Sequence, residues 1–143
     1  MKRLLFALSL FVSAAFAADV AKITPADVAK IAPADAAKLV AEGKAVLVDV
    51  REANEWAETG VAAPAVLLAK SEFDAGRTGE WKHFLASVGD KEIILACRSG
   101  HRAGIVAAAL AAEGCKVANA GGFKDWQAAS LPVRKADAPA PAK

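Results

Sequence analysis

The fold is decided by one stretch, Ile93-Ile94-Leu95-Ala96-Cys97-Arg98-Ser99-Gly100-His101-Arg102-Ala103-Gly104. Its apolar first half predicts a strand over residues 92–96 that is buried on both faces. Apolar residues then recur at helical spacing over residues 102–113. Gly100 lets the loop between them adopt backbone angles that other residues resist. The stretch therefore predicts strand, tight loop and helix, with Cys97 where the strand ends.

A loop that curls around its own cysteine and opens a helix directs several backbone N–H groups inward. These groups and the helix dipole form an anion-binding cradle and favour the thiolate, the nucleophilic form of Cys97. Arg98 and Arg102 add positive charge around it. The pattern predicts Cys97 as the catalytic residue of a site for a small, anionic, electrophilic substrate. The predicted substrate-binding residues are Arg98, Ser99, Gly100, His101 and Arg102.

Two reactions fit such a loop, namely attack of the cysteine on a phosphate and attack on a sulfane sulfur. Four residues separate Cys97 from Arg102. Cysteine-dependent phosphatases place five residues there, and the position where their arginine would fall is occupied by Ala103. The shorter loop favours a bound persulfide over a tetrahedral phosphate.

Predicted strands alternate with predicted helices along the rest of the chain. We expect strands over residues 45–50, 65–68, 92–96 and 116–120, and helices over 52–59, 80–88, 102–113 and 123–129, with a turn at 121–122. This alternation predicts an α/β fold, with a central parallel sheet flanked by helices on both faces. Ligands of such sheets bind beyond the carboxyl ends of the strands, which is where Cys97 stands.

The first 17 residues have the pattern of a signal peptide. Lys2 and Arg3 precede an apolar run over residues 4–16, and small residues flank position 16. The run is shorter than the roughly 20 residues that a membrane-spanning helix needs. We expect a periplasmic protein, cleaved after Ala17 and without a stable membrane anchor after cleavage.

A short duplication follows, in which residues 25–31 are echoed by residues 33–39. Each copy begins with proline, which is typical of a first helical turn. We predict an N-terminal extension over residues 18–31 and a single domain over residues 32–134, whose first helix ends near Gly43. Residues 135–143 are rich in Ala, Pro and Lys and are predicted to be a disordered tail.

Export raises the question of a disulfide between Cys97 and Cys115. The predicted helix between them separates its ends by roughly 15 Å, whereas a disulfide needs Cα atoms within about 7 Å. We therefore expect Cys97 to be a free thiol and Cys115 to be a packing residue. Two histidines and two cysteines at these spacings do not form a zinc site.

The charge balance excludes two further classes of protein. The chain carries 18 basic and 16 acidic residues, and the predicted signal peptide contains two of the basic ones, which leaves 16 of each. Binding to nucleic acid or to an anionic membrane surface needs a surplus of positive charge.

Three motifs together resemble those of the single-domain rhodaneses. The run from Cys97 to Arg102 is similar to the family's active-site loop. Residues 48–52, with Glu55-Trp56 and Gly60, resemble its first signature, and residues 121–126, with 131–133, resemble its C-terminal signature. The resemblance covers about residues 32–134. One departure follows Gly60, where the family usually carries His-Ile and Gly-Ala but this chain has Val61-Ala62-Ala63-Pro64-Ala65; it bears on substrate preference more than on catalysis.

The resemblance implies a thiosulfate sulfurtransferase that needs no metal and no organic cofactor. Cys97 would take the outer sulfur of thiosulfate and pass it, as a persulfide, to cyanide or a thiol. Asp49 and Arg51 are expected to be structural residues near the site, because a carboxylate at a strand end usually caps a neighbouring loop or helix. Two alternatives stay open: a rhodanese-fold module that carries persulfide or docks a periplasmic partner, and a phosphatase or arsenate reductase on the same fold. The oligomeric state is left open.

Overall fold

The computed structural model describes residues 22–137. The predicted signal peptide and residues 138–143 of the predicted tail lie outside the described residues. No helix within the described range has the length and apolar character that crossing a membrane requires. The strands are β1 (Ala45–Asp49), β2 (Val61–Ala62), β3 (Val66–Leu67), β4 (Glu92–Cys97), β5 (Val117–Gly122) and β6 (Val133–Arg134). The helices are α1 (Pro33–Ala41), α2 (Ala53–Thr59), α3 (Lys70–Asp74), α4 (Trp81–Ser87), α5 (His101–Ala112) and α6 (Phe123–Ala128), preceded by a 3-10 turn (Pro25–Asp27).

The main sheet has four parallel strands in the order β3-β1-β4-β5. Its register brings three strand ends to one edge, because Asp49 pairs with Ala96 and Cys97 pairs with Gly122. The predicted parallel sheet is confirmed. The turn predicted at residues 121–122 is wrong, since Gly122 is held in β5 by its pairing with Cys97.

Consecutive residues of the buried strands contribute to two separate hydrophobic cores, one on each face of the sheet. Val48 and Ile93 pack on the face covered by α4 and α5, whereas Leu47 and Ile94 pack on the face covered by α1 and α6. A strand whose side chains are buried on both faces has no polar alternation, which is why these strands read as continuous apolar runs. The expected helices on both faces of the sheet are present.

A small antiparallel pair of strands, β2 and β6, lies outside the main sheet and is absent from the sequence prediction. Arg134 stabilises this pair of strands, because its guanidinium donates to the main-chain oxygens of Ala63 at 3.0 Å and Ala65 at 2.8 Å. The 61–65 stretch that departs from the family pattern is therefore a strand and a turn held by the C-terminal segment.

The two copies of the duplicated motif fold differently. The second forms α1, whereas the predicted helix of the first is only a 3-10 turn. The chain leaves that turn at Val28, which is extended and buried in the core. Beyond it, Ala29 and Ile31 exchange backbone hydrogen bonds with Asn119 of β5, at 2.9 and 3.0 Å. Residues 28–31 of the predicted extension thus line the edge of the main sheet.

Candidate functional site

Cys97 is the last residue of β4, and its side chain is buried, with the residue 1% exposed. The backbone N–H of Gly100 donates to Cys97 Sγ at 3.1 Å. Gly100 stands immediately before α5 with φ +92°, a left-handed conformation that favours glycine. The sulfur therefore lies at the N terminus of a 12-residue helix, where the helix dipole stabilises negative charge.

The loop is attached to β5 by a residue that the sequence analysis missed. Asn119 Nδ2 donates to the main-chain oxygen of Gly100 at 2.9 Å, and Asn119 Oδ1 accepts from Gly121 N at 2.9 Å. The signal in the sequence is an amide residue inside an otherwise small and apolar strand, two residues before the Gly-Gly pair.

Gly122 allows the loop to lie directly on β5. A Cβ at this position would lie 2.0 Å from the main-chain oxygen of Arg98, so the close approach requires glycine. The Gly122 N–H donates to Asp125 Oδ2 at 2.8 Å, which fixes the start of α6. The second glycine of the C-terminal signature thus has a steric role at the loop.

Arg102 is bound by Glu55, whose part in the site the sequence analysis also missed. Arg102 Nη1 and Nη2 donate to the two carboxylate oxygens of Glu55 at 2.7 and 2.8 Å. This pairing lowers the pKa of Glu55 to about 2 and raises the pKa of Arg102, with the Cys97 sulfur making a smaller contribution. Glu55 also accepts from the Glu52 N–H at 2.9 Å, so it joins α5 to the first turn of α2.

The other predicted substrate-binding side chains, Arg98, Ser99 and His101, are exposed on the surface of the loop. Arg98 lines a cleft of about 290 Å³ together with Lys124 and Glu55. Ser99 and His101 line a separate cleft of about 450 Å³ that the N-terminal segment closes on its far side. Of the five predicted residues, Gly100 and Arg102 are therefore partly buried. Arg98 lies at one cleft beside the loop, and Ser99 and His101 lie at the other.

Asp49 and Arg51 form a buried ion pair, 3% and 2% exposed. Arg51 Nη2 lies 2.6 Å from Asp49 Oδ2, and Asp49 Oδ1 also accepts from the Arg51 N–H at 3.0 Å. The same guanidinium donates to Thr59 and Gly60 and stacks over the Phe123 ring at 4.4 Å. The pair joins the end of β1 to the end of α2 and to α6. It thereby stabilises the elements next to the site.

Both cysteines are free thiols, which confirms the prediction made from the length of the intervening helix. Cys115 follows the far end of α5 and is half-buried against the core.

Comparison with known proteins identifies a family model and solved structures of similar fold. A family model described as the rhodanese-like domain matches residues 32–129. No curated protein sequence gives a significant match. A possible tyrosine phosphatase of unknown function from Rhodopseudomonas palustris superposes with a TM-score of 0.63 at 24% identity, over 76% of this chain and 86% of that one.

Two further solved structures are similar to the chain. The polysulfide-sulfur transferase homodimer of Wolinella succinogenes gives a TM-score of 0.60 at 25% identity, over 77% of this chain and 80% of that one. Reduced CoADR-RHD from Bacillus anthracis gives 0.56 at 30% identity, over 69% of this chain but only 16% of that much longer one. Since the family model spans well over half of the sequence, the chain belongs to the rhodanese-like family.

Proposed function

We propose that this protein is a sulfurtransferase that carries a sulfane sulfur on Cys97 and takes it from thiosulfate or a similar anionic donor. The observation that carries the proposal is the bond from the Gly100 N–H to Cys97 Sγ, 3.1 Å long, at the N terminus of α5. A helix N terminus stabilises an anion at that sulfur, whether it is a thiolate or a persulfide. The sulfur-transfer activity named for the Wolinella succinogenes relative is in line with this chemistry.

The reaction has two steps and balances without a cofactor. The Cys97 thiolate attacks the outer sulfur of thiosulfate, the S–S bond of the donor breaks, and sulfite leaves with the bonding electron pair. Cyanide, or a thiolate, then attacks the terminal sulfur of the Cys97 persulfide, which gives thiocyanate, or a new persulfide, and restores the Cys97 thiolate. Arg98 and Lys124, both exposed beside the loop, provide positive charge for the anionic donor.

The state of Arg102 argues against phosphate chemistry. A phosphatase needs its loop arginine to bind the phosphate oxygens, whereas Arg102 directs one N–H from each terminal nitrogen at the Glu55 carboxylate. The Glu55 carboxylate partly offsets the positive charge of Arg102, and the pair organises the loop. The similarity to the possible tyrosine phosphatase, at 24% identity, shows a shared fold alone.

We also propose that the protein acts in the periplasm after cleavage behind Ala17. The support is the charge and hydropathy of residues 1–17. Expression of the full chain in a Gram-negative host, followed by fractionation and intact mass, tests this. A periplasmic product that begins at Ala18 is expected; an uncleaved cytoplasmic product would contradict it.

The test of the reaction uses residues 18–143 with thiosulfate and cyanide and follows thiocyanate. Cys97→Ser is the inactive variant, and Cys115→Ser, which removes the other thiol, is the matched control. We expect turnover in the wild type and in Cys115→Ser, and none in Cys97→Ser.

Other outcomes lead to the alternatives. A single added sulfur on Cys97 by mass spectrometry, without turnover, would indicate a dedicated persulfide carrier. If no sulfur adduct forms, the sulfurtransferase proposal fails and a binding module takes its place. Hydrolysis of an aryl phosphate that depends on Cys97 would instead revive the phosphatase hypothesis.

A further inference from the structure

The Asn119 side chain joins two parts of the active-site frame that are separate in sequence. It donates to the main-chain oxygen of Gly100, and its own oxygen accepts from the Gly121 N–H, both at 2.9 Å. The amide thus holds the residue whose N–H contacts Cys97 Sγ. Its second bond fixes the backbone of Gly121, next to Gly122, against which the main-chain oxygen of Arg98 packs.

The backbone of Asn119 is held from the opposite side by the N-terminal segment. Asn119 N donates to the Ala29 oxygen at 2.9 Å, and Ile31 N donates to the Asn119 oxygen at 3.0 Å. These two bonding residues precede the stretch that matches the family model, which begins at residue 32. Val28, just before them, is buried in the core and anchors the segment.

Two glycines, Gly100 and Gly104, lie next to the Asn119 amide. A Cβ on Gly104 of α5 would lie 3.3 Å from Asn119 Nδ2 and 3.3 Å from Pro25 Cβ. A Cβ on Gly100 would lie 3.5 Å from Asn119 Oδ1. A Cβ at either glycine would contact the Asn119 amide, so these glycines leave the space that the amide occupies, and its two hydrogen bonds set its orientation.

We propose that Asn119 is a positioning residue that keeps the Gly100 N–H directed at the Cys97 sulfur, and that residues 28–31 brace it. The proposal deepens, and for its catalytic consequence rests on, the assignment of Cys97 as the sulfur-carrying nucleophile. Asn119 acts through Gly100 and does not itself touch the sulfur. The titratable side chains around the loop include Arg98, His101 and Arg102 in or beside it, Glu55 on α2, and Lys124 and Asp125 on α6, and an Asn119 substitution changes none of these residues.

The experiment is site-resolved amide hydrogen exchange on residues 18–143, without substrate. In Asn119→Ala, the Gly121 amide loses its acceptor directly, so it serves as the positive control. The informative amide is that of Gly100, which bonds to Cys97 Sγ rather than to Asn119. We expect its exchange to accelerate by about tenfold or more, while amides in β4 exchange as in the wild type.

Asn119→Asp separates the two side-chain bonds and guards against misfolding of the alanine variant. The aspartate retains an acceptor for the Gly121 N–H but has no donor for the Gly100 oxygen. We expect Gly121 to stay protected and Gly100 to exchange faster. Asn54→Ala, an exposed asparagine on α2, is the matched control and should change neither amide.

Wild-type exchange at Gly100 in either folded Asn119 variant would overturn the proposal. In the thiocyanate assay, we expect the Asn119 variants to lose turnover by between about 10- and 100-fold, with a smaller change in KM, because the reacting sulfur is misplaced. Failure of that assay in the wild type would contradict the proposed function alone, because the exchange result does not require sulfur transfer.

Discussion

Arg102 and Glu55 form a two-point ion pair across 47 positions of sequence, with bonds of 2.7 and 2.8 Å. Arg102 is the second residue of α5 and Glu55 lies in the first turn of α2. The end of the active-site loop is thereby fixed to a different layer of the fold, while Asn119 fixes its middle to β5.

Glu55→Gln should impair catalysis as well as stability. The glutamine side chain keeps one oxygen that can accept a hydrogen bond from Arg102, but it lacks the negative charge that pairs with the guanidinium. The end of the loop at Arg102 is then held less rigidly. We expect the free energy of unfolding to fall by about 1.5 kcal/mol and thiosulfate turnover to fall about tenfold. Urea denaturation and the thiocyanate assay measure both. Glu80→Gln, at an exposed glutamate just before α4, is the control and should alter neither. Wild-type turnover in Glu55→Gln would show that the loop does not depend on the pair.

The same pair predicts an acid-dependent loss of stability. The folded pKa of Glu55 is lowered from 4.5 to about 2, chiefly by its bonds to Arg102. Its contribution is therefore complete above pH 4.5 and disappears as the pH falls through about 2. The difference in unfolding free energy between wild type and Glu55→Gln should be constant from pH 7 to about pH 5 and shrink below that. Denaturation curves over this range check it, and a difference that grows on acidification would contradict the assignment.

The sequence predicts the sheet and the position of Cys97 at a strand end well, because both depend on local patterns. Continuous apolar runs such as residues 93–95 are typical of a strand buried on both faces, and the place of a cysteine at the end of such a run can be recognised without tertiary information. The free state of Cys97 also follows locally, from the length of α5 alone.

The features that the sequence does not predict depend on contacts between distant residues. Strands β2 and β6 have two residues each and no periodicity, and they pair only because the chain brings Val61 beside Arg134. Asn119 and Glu55 act through partners 19 and 47 positions away. The two duplicated copies share five of seven residues, yet the first leaves the helical path after a 3-10 turn, with Val28 buried and Ala29 and Ile31 bonded to Asn119 of β5.

Arg51→Met should destabilise the fold strongly. It leaves the Asp49 carboxylate buried without its partner, and breaking a buried pair in this way costs about 3–5 kcal/mol. The double variant Asp49→Asn/Arg51→Met removes both charges and should lose less than the sum of the two single variants. Urea denaturation of all four proteins in the cycle measures this coupling; additive losses would mean that the two groups do not interact.

Gly122→Ala tests the contact between β5 and the loop. The φ of Gly122 is −106°, which alanine tolerates, so the expected effect comes only from the methyl group 2.0 Å from the Arg98 oxygen. The loop must shift, and turnover should fall by about 100-fold. Gly104→Ala, where the nearest atoms lie at 3.3 Å, should show a much smaller loss. Equal activity of the two variants would exclude a steric role for Gly122.

Arg98→Ala should weaken donor binding and leave the chemical step largely intact. Arg98 is exposed at the rim of the loop, whereas Arg102 is paired with Glu55, so Arg98 is the loop arginine with the more accessible charge for an incoming anion. Loss of an interaction made equally in the bound and transition states raises KM without changing kcat. We expect the KM for thiosulfate to rise about fivefold and to become less sensitive to salt. Lys82→Ala, which removes an exposed positive charge on α4, is the control and should leave both constants unchanged. A fall in kcat in Arg98→Ala, with KM preserved, would instead place this arginine at the departing sulfite in the transition state.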